Sequence, residues 1–188
     1  MGNVVLGFTI SLDGFAEDHN GSVGPLYPDL DTLRTSAYLQ ESMHDTGAVV
    51  MSWKEFSMAE DPDALADNYE YQVPIFVFTD QVPERHPKET DSVTFTFVTN
   101  GVDSAIQQAK AAAGDKDVQI IGSAQTIQQV LTSGLIDELH IDIIPIFLHE
   151  GFRPFDEVDT QSLHLERTNV EAVAGGRTHL SFNVRTTG

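Results

Sequence analysis

The spacing of apolar residues changes period several times along the chain, and each change marks an element. Residues 4–10 are almost continuously apolar and β-prone, the pattern of a strand buried on both faces. Ser11-Leu12-Asp13-Gly14 has turn composition, and residues 17–28, rich in Gly, Asp, Asn and Pro, predict a long loop. Leu33, Ala37, Leu39 and Met43 give residues 30–44 a rough apolar stripe, so one helix is expected there, with Gly47 as its C-terminal stop. Residues 48–51 read as a short buried strand. Residues 60–71 are acidic and polar and predict a short helix or a loop. Pro74 opens a second apolar run at 75–79, and the charged, proline-containing stretch 81–92 should be exposed. Val93, Phe95 and Phe97 alternate with Thr94 and Thr96, the signature of a strand with one favoured face.

The second half is more regular. Residues 102–113 predict a helix with Asp103 and Ser104 near its start and Gly114 at its end. Residues 118–121 form a strand, and Ser123 caps a helix that Gly134 stops after about residue 133. Leu139, Ile141 and Ile143 mark the next strand, and residues 145–158 an irregular connection. Residues 161–173 and 178–185 flank Gly175-Gly176, a strong hairpin signal. In the last strand Leu180, Phe182 and Val184 face one way, and His179, Ser181, Asn183 and Arg185 the other. Strands alternating with helices and ending in an antiparallel hairpin predict an α/β fold with a mostly parallel sheet. Neither linker nor repeat interrupts the pattern, so residues 1–188 are expected to form a single domain.

Composition narrows the function classes. Twenty-nine acidic side chains face ten basic ones, a formal net charge of −19. Phosphate backbones are held by Lys and Arg, so nucleic acid is not an expected partner, and an anionic membrane surface is disfavoured for the same reason. Asp outnumbers Glu, 17 to 12, and there are four lysines. This fits either a salt-adapted surface or an ordinary acidic bacterial protein. The absence of cysteine excludes disulfides, thiolate metal sites and a cysteine nucleophile. The first residues carry no basic n-region, and no apolar run approaches the ~20 residues of a membrane span. A soluble cytoplasmic protein is expected.

In open α/β sheets ligands bind at the carboxyl ends of strands. Four such ends are residues 11–15, 52–56, 79–80 and 122–126. At the last, Gly122-Ser123-Ala124-Gln125-Thr126 joins a strand to a helix start. Free N–H groups and the helix dipole make that corner suitable for phosphate, with hydroxyls from Ser123 and Thr126; the alternative is a simple N-cap. Asp13 sits in a turn, and Asp29 and Asp31 at the first helix start. Each is a candidate acid or substrate anchor, and each has an ordinary role in turns or caps. No His-Glu-x-x-His or Gly-x-Ser-x-Gly pattern occurs, so neither a metal site nor a serine hydrolase turn is expected. Trp53, Phe95 and Phe97 read as core residues.

These landmarks together resemble the dihydrofolate reductase-like superfamily, in the branch of the C-terminal reductase domain of the riboflavin-biosynthesis deaminase–reductase. The resemblance rests on Gly7-Phe8-Thr9-Ile10-Ser11-Leu12-Asp13-Gly14-Phe15 and on Gly47-Ala48-Val49-Val50-Met51. Its most specific part is Gly134-Leu135-Ile136-Asp137-Glu138-Leu139-His140-Ile141, followed by Pro145-Ile146-Phe147-Leu148 and Gly151-Phe152-Arg153-Pro154-Phe155. It implies a mostly parallel twisted sheet with helices on both faces and a homodimer. It also implies hydride transfer from NADPH to a pterin or a pyrimidine-type ring, and the expectation drawn from it is an NADPH- or NADH-dependent reductase of a small heterocycle, a flavin-like ring included. Carried over, Gly122, Ser123, Ala124, Gln125 and Thr126 would hold the cofactor pyrophosphate. Ser52, Trp53, Lys54 and Thr79 would lie along its adenosine side, and Ser11 and Gly14 near the nicotinamide. Asp29 is the first candidate acid, with Asp13 and Asp31 next.

Three departures stand out. The family's Gly-Arg-x-Thr is here Ser52-Trp53-Lys54-Glu55, its glycine-rich turn is Gly122-Ser123-Ala124-Gln125, and the Gly after Leu148 is His149. Loss of the Arg weakens phosphate binding, Lys54 replaces it only as a point charge, and Glu55 repels an anion. A preference for NADH, weak NADPH binding, or a binding protein without dinucleotide chemistry are the expectations that follow.

Overall fold

The first apolar run becomes β1 (Val4–Ser11), buried on both faces in the interior of an eight-stranded sheet. The computed structural model describes residues 2–59 and 61–186; Met1, Glu60, Thr187 and Gly188 lie outside the described residues, so the reading of 60–71 is met only from Asp61 onward. The other strands are β2 (Thr46–Ser52), β3 (Ile75–Phe78), β4 (Phe95–Val98), β5 (Asp117–Ile121), β6 (Glu138–Ile144), β7 (Leu163–Ala172) and β8 (Thr178–Thr186). Their order is β4-β3-β2-β5-β1-β6-β8-β7. β1 to β6 run parallel, and β8 and then β7 add antiparallel at one edge.

The sheet buries both faces. Ala48 and Val50 of β2 join Val4, Leu6, Ile120 and Leu139 under two helices, α5 (Val102–Ala113) and α6 (Ala124–Ser133), which contribute Ile106, Ala109, Ile127 and Val130. Val49 and Met51 point the other way, with Ile75, Val77 and Phe95. There they meet Phe56 of α3 (Trp53–Ser57) and Ala66 of α4 (Asp63–Asn68). The period-2 geometry of one strand thus feeds two cores.

The helix expected at 30–44 is two helices, α1 (Leu30–Arg34) and α2 (Ala37–Asp45). Ser36 breaks it: its backbone is extended, its Oγ donates to Leu33 O at 2.7 Å, and it accepts the Leu39 N–H at 3.2 Å. Serine is a better N-cap than an interior helix residue, so the local bond wins over the stripe. Gly47 does not stop a helix; it lies inside β2, where a Cβ would fall 2.7 Å from Lys116 Cβ and 2.8 Å from Ala113 O. α3 was not predicted. Ser52 and Glu55 form its capping box, which makes five residues helical directly after a strand. Val93 is buried but precedes β4. Among the described residues, no helix is long and apolar enough to cross a membrane.

Candidate functional site

β5 turns into α6 at Gly122. A Cβ there would lie 2.3 Å from Thr126 Cγ2, so only glycine lets the strand enter the helix so steeply. The turn leaves the N–H groups of Ser123 and Ala124 pointing away from the helix, where they lack intrahelical acceptors. Both are occupied by the protein's own carboxylates. Ser123 N–H donates to Glu55 Oε1 at 3.0 Å, and Ala124 N–H donates to Glu17 Oε1 at 2.6 Å.

Glu55 arrives from α3. Its Oε2 also accepts Thr126 Oγ1 and the Ser52 N–H, each at 3.0 Å, and the Ser52 hydroxyl. Burial raises the Glu55 carboxyl, and the hydrogen bonds from Ser123, Ser52 and Thr126 outweigh it, so the group sits below its ordinary pKa. Glu17 arrives from the loop after β1 and is 2% exposed; its second oxygen accepts Lys54 Nζ at 2.8 Å. Two carboxylates and one ammonium therefore cap α6.

That arrangement tests the cofactor reading. A dinucleotide pyrophosphate would need the same N–H groups and would meet two carboxylates already on them. Two like unit charges 4 Å apart repel by about 4 kcal/mol at an effective dielectric of 20. The corner does not fit a pyrophosphate seated there.

The groove beside it is open. It has a volume of about 690 Å³ along the carboxyl ends of β2, β3 and β4. Ser52, Trp53, Lys54, Thr79, Gln125 and Thr126 line it, with Asp80, Glu84 and Gln129. Trp53 is not a core residue: it is 39% exposed, with its ring 5.3 Å from that of Phe56. Six of the expected cofactor residues thus share one groove, and Gly122, Ser123 and Ala124 form the corner at its end.

The three aspartates are dispersed. Asp29 precedes α1 without capping it. Its carboxylate instead accepts Arg177 Nε at 2.8 Å and Nη2 at 2.6 Å. Arg177 is fully buried, donates also to Thr9 Oγ1 and Leu26 O, and lies 5.1 Å from the Tyr27 ring centre. The hydrogen bonds from Arg177 hold the Asp29 carboxyl below its ordinary value, so at neutral pH it is an ionised anchor and not a proton donor.

Asp13 Oδ1 accepts Ser11 Oγ at 2.6 Å and the Leu148 N–H at 3.1 Å, and Oδ2 accepts the His149 N–H at 2.8 Å. Partial burial raises this carboxyl, and the bonds from Ser11, His149 and Leu148 outweigh it and bring it down to about 2. Asp13 therefore ties the turn of Ser11 and Gly14 to the loop after β6. Gly14 has φ +89°, and Ser11 Oγ accepts the Phe15 N–H. Asp31 is exposed in the first turn of α1, where it favours the helix dipole. Glu17 and Arg177 carry no sequence signal as site groups. Among the described residues, no group of three or more His, Asp or Glu is placed to hold a metal.

The same architecture occurs in known proteins. The uncharacterized protein YyaP of Bacillus subtilis is 24% identical over 96% of this chain and 94% of its own length. A putative riboflavin biosynthesis protein from Shewanella sp. PV-4 superposes with a TM-score of 0.74 at 24% identity, covering 97% of this chain and 99% of that one. Dihydrofolate reductase from Enterococcus faecalis, complexed with NADP(H), superposes with a TM-score of 0.62 at 14% identity, covering 98% and 97%. The family model of the RibD C-terminal domain matches residues 3–178, and the chain belongs to that family.

Proposed function

We propose that this protein binds a small, phosphate-free heterocycle in the groove beside Trp53 and has lost dinucleotide-dependent hydride transfer. One observation carries the reading: Glu55 and Glu17 occupy the N–H groups that a cofactor pyrophosphate would need. What remains available in the groove is an exposed indole face for stacking and the amides of Gln125 and Gln129. Asp80 and Glu84 make the wall unfavourable to anions. The family's reduction of pterin- or pyrimidine-type rings supports a ligand of that shape.

A second reading is an active NAD(P)H-dependent reductase of such a ring. The open groove and membership in a family of reductases favour it.

Trp53 is the sole tryptophan and lines the groove, so its fluorescence reports occupancy directly. NADPH, NADH, free pyrimidines, nucleosides and pterins would each be titrated into the protein at low and high salt. The expected result is saturable quenching by a phosphate-free ring and none by either dinucleotide up to millimolar concentration. Micromolar saturation by NADPH or NADH would overturn the proposal in favour of the reductase reading.

A further inference from the structure

A second arrangement lies away from this groove, on the sheet face beneath α2. Alternate residues of a strand share a face, and three adjacent strands place their polar positions in two rows there. Asn169 of β7, Ser181 of β8 and His140 of β6 are in register; Glu171, His179 and Asp142 form the next row. The ladder between β7 and β8 shifts between Arg167 and Asn169, and this irregularity brings Asn169 opposite Ser181. Such bulges concentrate next to active sites.

Within these rows a hydroxyl, an imidazole and a carboxylate are joined in series. His179 Nδ1 lies 2.8 Å from Asp142 Oδ1, and His179 Nε2 lies 2.8 Å from Ser181 Oγ. All three residues are at least nine-tenths buried. A carboxylate only accepts hydrogen bonds, so Asp142 fixes the proton on Nδ1. Nε2 is then an acceptor, and Ser181 donates to it. Tyr38 of α2 packs its ring 4.4 Å from that of His179, and the His140 ring meets it edge-on at 5.2 Å. The chain ends in a cavity of about 250 Å³.

The geometry points to a second catalytic site, an esterase centre with Ser181 as nucleophile, His179 as general base and Asp142 as its positioning residue. Nucleophile–base–orienter sets are recognised by such geometry and not by sequence order. Ser181 Oγ attacks the acyl carbon of an ester, and its proton passes to His179 Nε2. The bond to the leaving oxygen then breaks, and the leaving alcohol takes that proton. Water, deprotonated by His179, attacks the acyl-serine; the acid departs and the proton returns to Ser181. One side-chain amide beside Ser181, that of Asn169, lines the same cavity and is the donor assigned to the oxyanion. Asn169 faces Ser181 across the ladder, and its amide turns to the oxyanion from a long 3.4 Å bond to Glu171 Oε2. Glu41, Asp45, Asp117, Glu138 and Glu171 also line the cavity, so the substrate class is a short-chain acyl ester of a cationic amino alcohol.

The test uses the full chain with diisopropyl fluorophosphate, mass-spectrometric mapping of the adduct, and hydrolysis of acetylcholine followed by acid release. A single diisopropylphosphoryl adduct on Ser181 is expected, with fluoride released, and ester hydrolysis is abolished by Ser181→Ala. Asp142→Asn should slow phosphorylation by the reagent at least 100-fold while circular dichroism stays that of the parent, which a purely structural carboxylate would not do. Folded protein without an adduct on Ser181 overturns the proposal, as does hydrolysis that persists in Ser181→Ala. Neither result bears on ligand binding beside Trp53, because the two sites share no residue.

Discussion

Replacing Arg177 with Met tests whether Asp29 is a structural anion. Arg177 is fully buried and makes four hydrogen bonds: two to Asp29, one to Thr9 Oγ1 and one to Leu26 O. Methionine fills similar volume but satisfies none of them. The Asp29 side chain, 12% exposed, would keep a charge with no partner. Breaking a buried pair by removing one member costs about 3–5 kcal/mol, a large share of the ~5–15 kcal/mol that typically holds a domain. For a chain of this size each kcal/mol moves the midpoint by about 2–4 °C, so a fall of about 6–20 °C is expected. Urea titration followed by circular dichroism gives the free energy, and calorimetry the midpoint. The double variant Arg177→Met/Asp29→Leu removes both charges and should recover most of the loss. A single-variant cost under about 1 kcal/mol, or a double variant as damaged as the sum of its parts, would refute the anchoring role.

Four further outcomes follow from the same geometry. Gly175→Ala should cost more than the ~1–2 kcal/mol of a left-handed non-glycine residue, because φ is +77° and a Cβ would fall 2.0 Å from Asp29 Oδ2; denaturant midpoints check it. His149 has φ +66° without being glycine, so His149→Gly should raise the thermal midpoint by a few degrees, a gain of about 1 kcal/mol. The carboxyls of Asp13, Asp29 and Glu55 are all depressed, so their stabilisation is fully present above the unfolded pKa near 4 and is lost as pH falls through the folded values. An acid titration of stability should decline from about pH 4 toward 2, and a flat profile there would count against these bonds. With a net charge of −19, sodium chloride should raise the melting temperature as the Debye length shrinks from ~30 Å at 0.01 M to ~3 Å at 1 M; an unchanged midpoint would show that self-repulsion is not limiting.

The elements with strong local signals were legible in the sequence. α5 spans residues 102–113 as Asp103 and Ser104 near its start and the glycine stop predict, and β1, β3 and β6 follow their apolar runs. The last strand also divides as its alternation indicates. Leu180, Phe182 and Val184 pack against the main core, and His179 and Ser181 lie on the opposite face. Part of what failed was local, the break at Ser36 and the Ser52–Glu55 capping box of α3, and the rest depended on contacts distant in sequence. Gly47 looks like a helix stop until the close approach of Ala113 and Lys116 is known. Glu55 was legible as a residue hostile to phosphate, but its bonds to Ser123 and Thr126 span about 70 positions. Glu17 reaches Ala124 across 107 positions, and Arg177 reaches Asp29 across 148. No periodicity encodes such pairs.

The chain carries only ten basic side chains, and where two of them are placed bears on what the groove can bind. Ligand pockets advertise themselves by polar groups that lack protein partners, because a buried charge or N–H left alone is costly. Here the charged and backbone N–H groups that the family resemblance assigns to ligand charges are satisfied internally, and the buried Ser123 hydroxyl is left without a partner among the described residues. The α6 N–H groups hold Glu55 and Glu17, Glu17 is neutralised by Lys54, and Asp29 by Arg177. A ligand that competed for these positions would have to displace a formed ion pair or a capped helix end before gaining a contact. A ligand that ignores them meets an exposed indole and side-chain amides at no such cost. On the proposed reading the internal pairing selects against anions and for an uncharged ring, and Glu55→Thr should reverse part of that selection. If the variant, still folded, gains measurable NADPH or NADH quenching of Trp53 that the parent lacks, the carboxylate is the element that excludes phosphate. If it gains none, the exclusion lies elsewhere in the groove, with Asp80 and Glu84 the next residues to change.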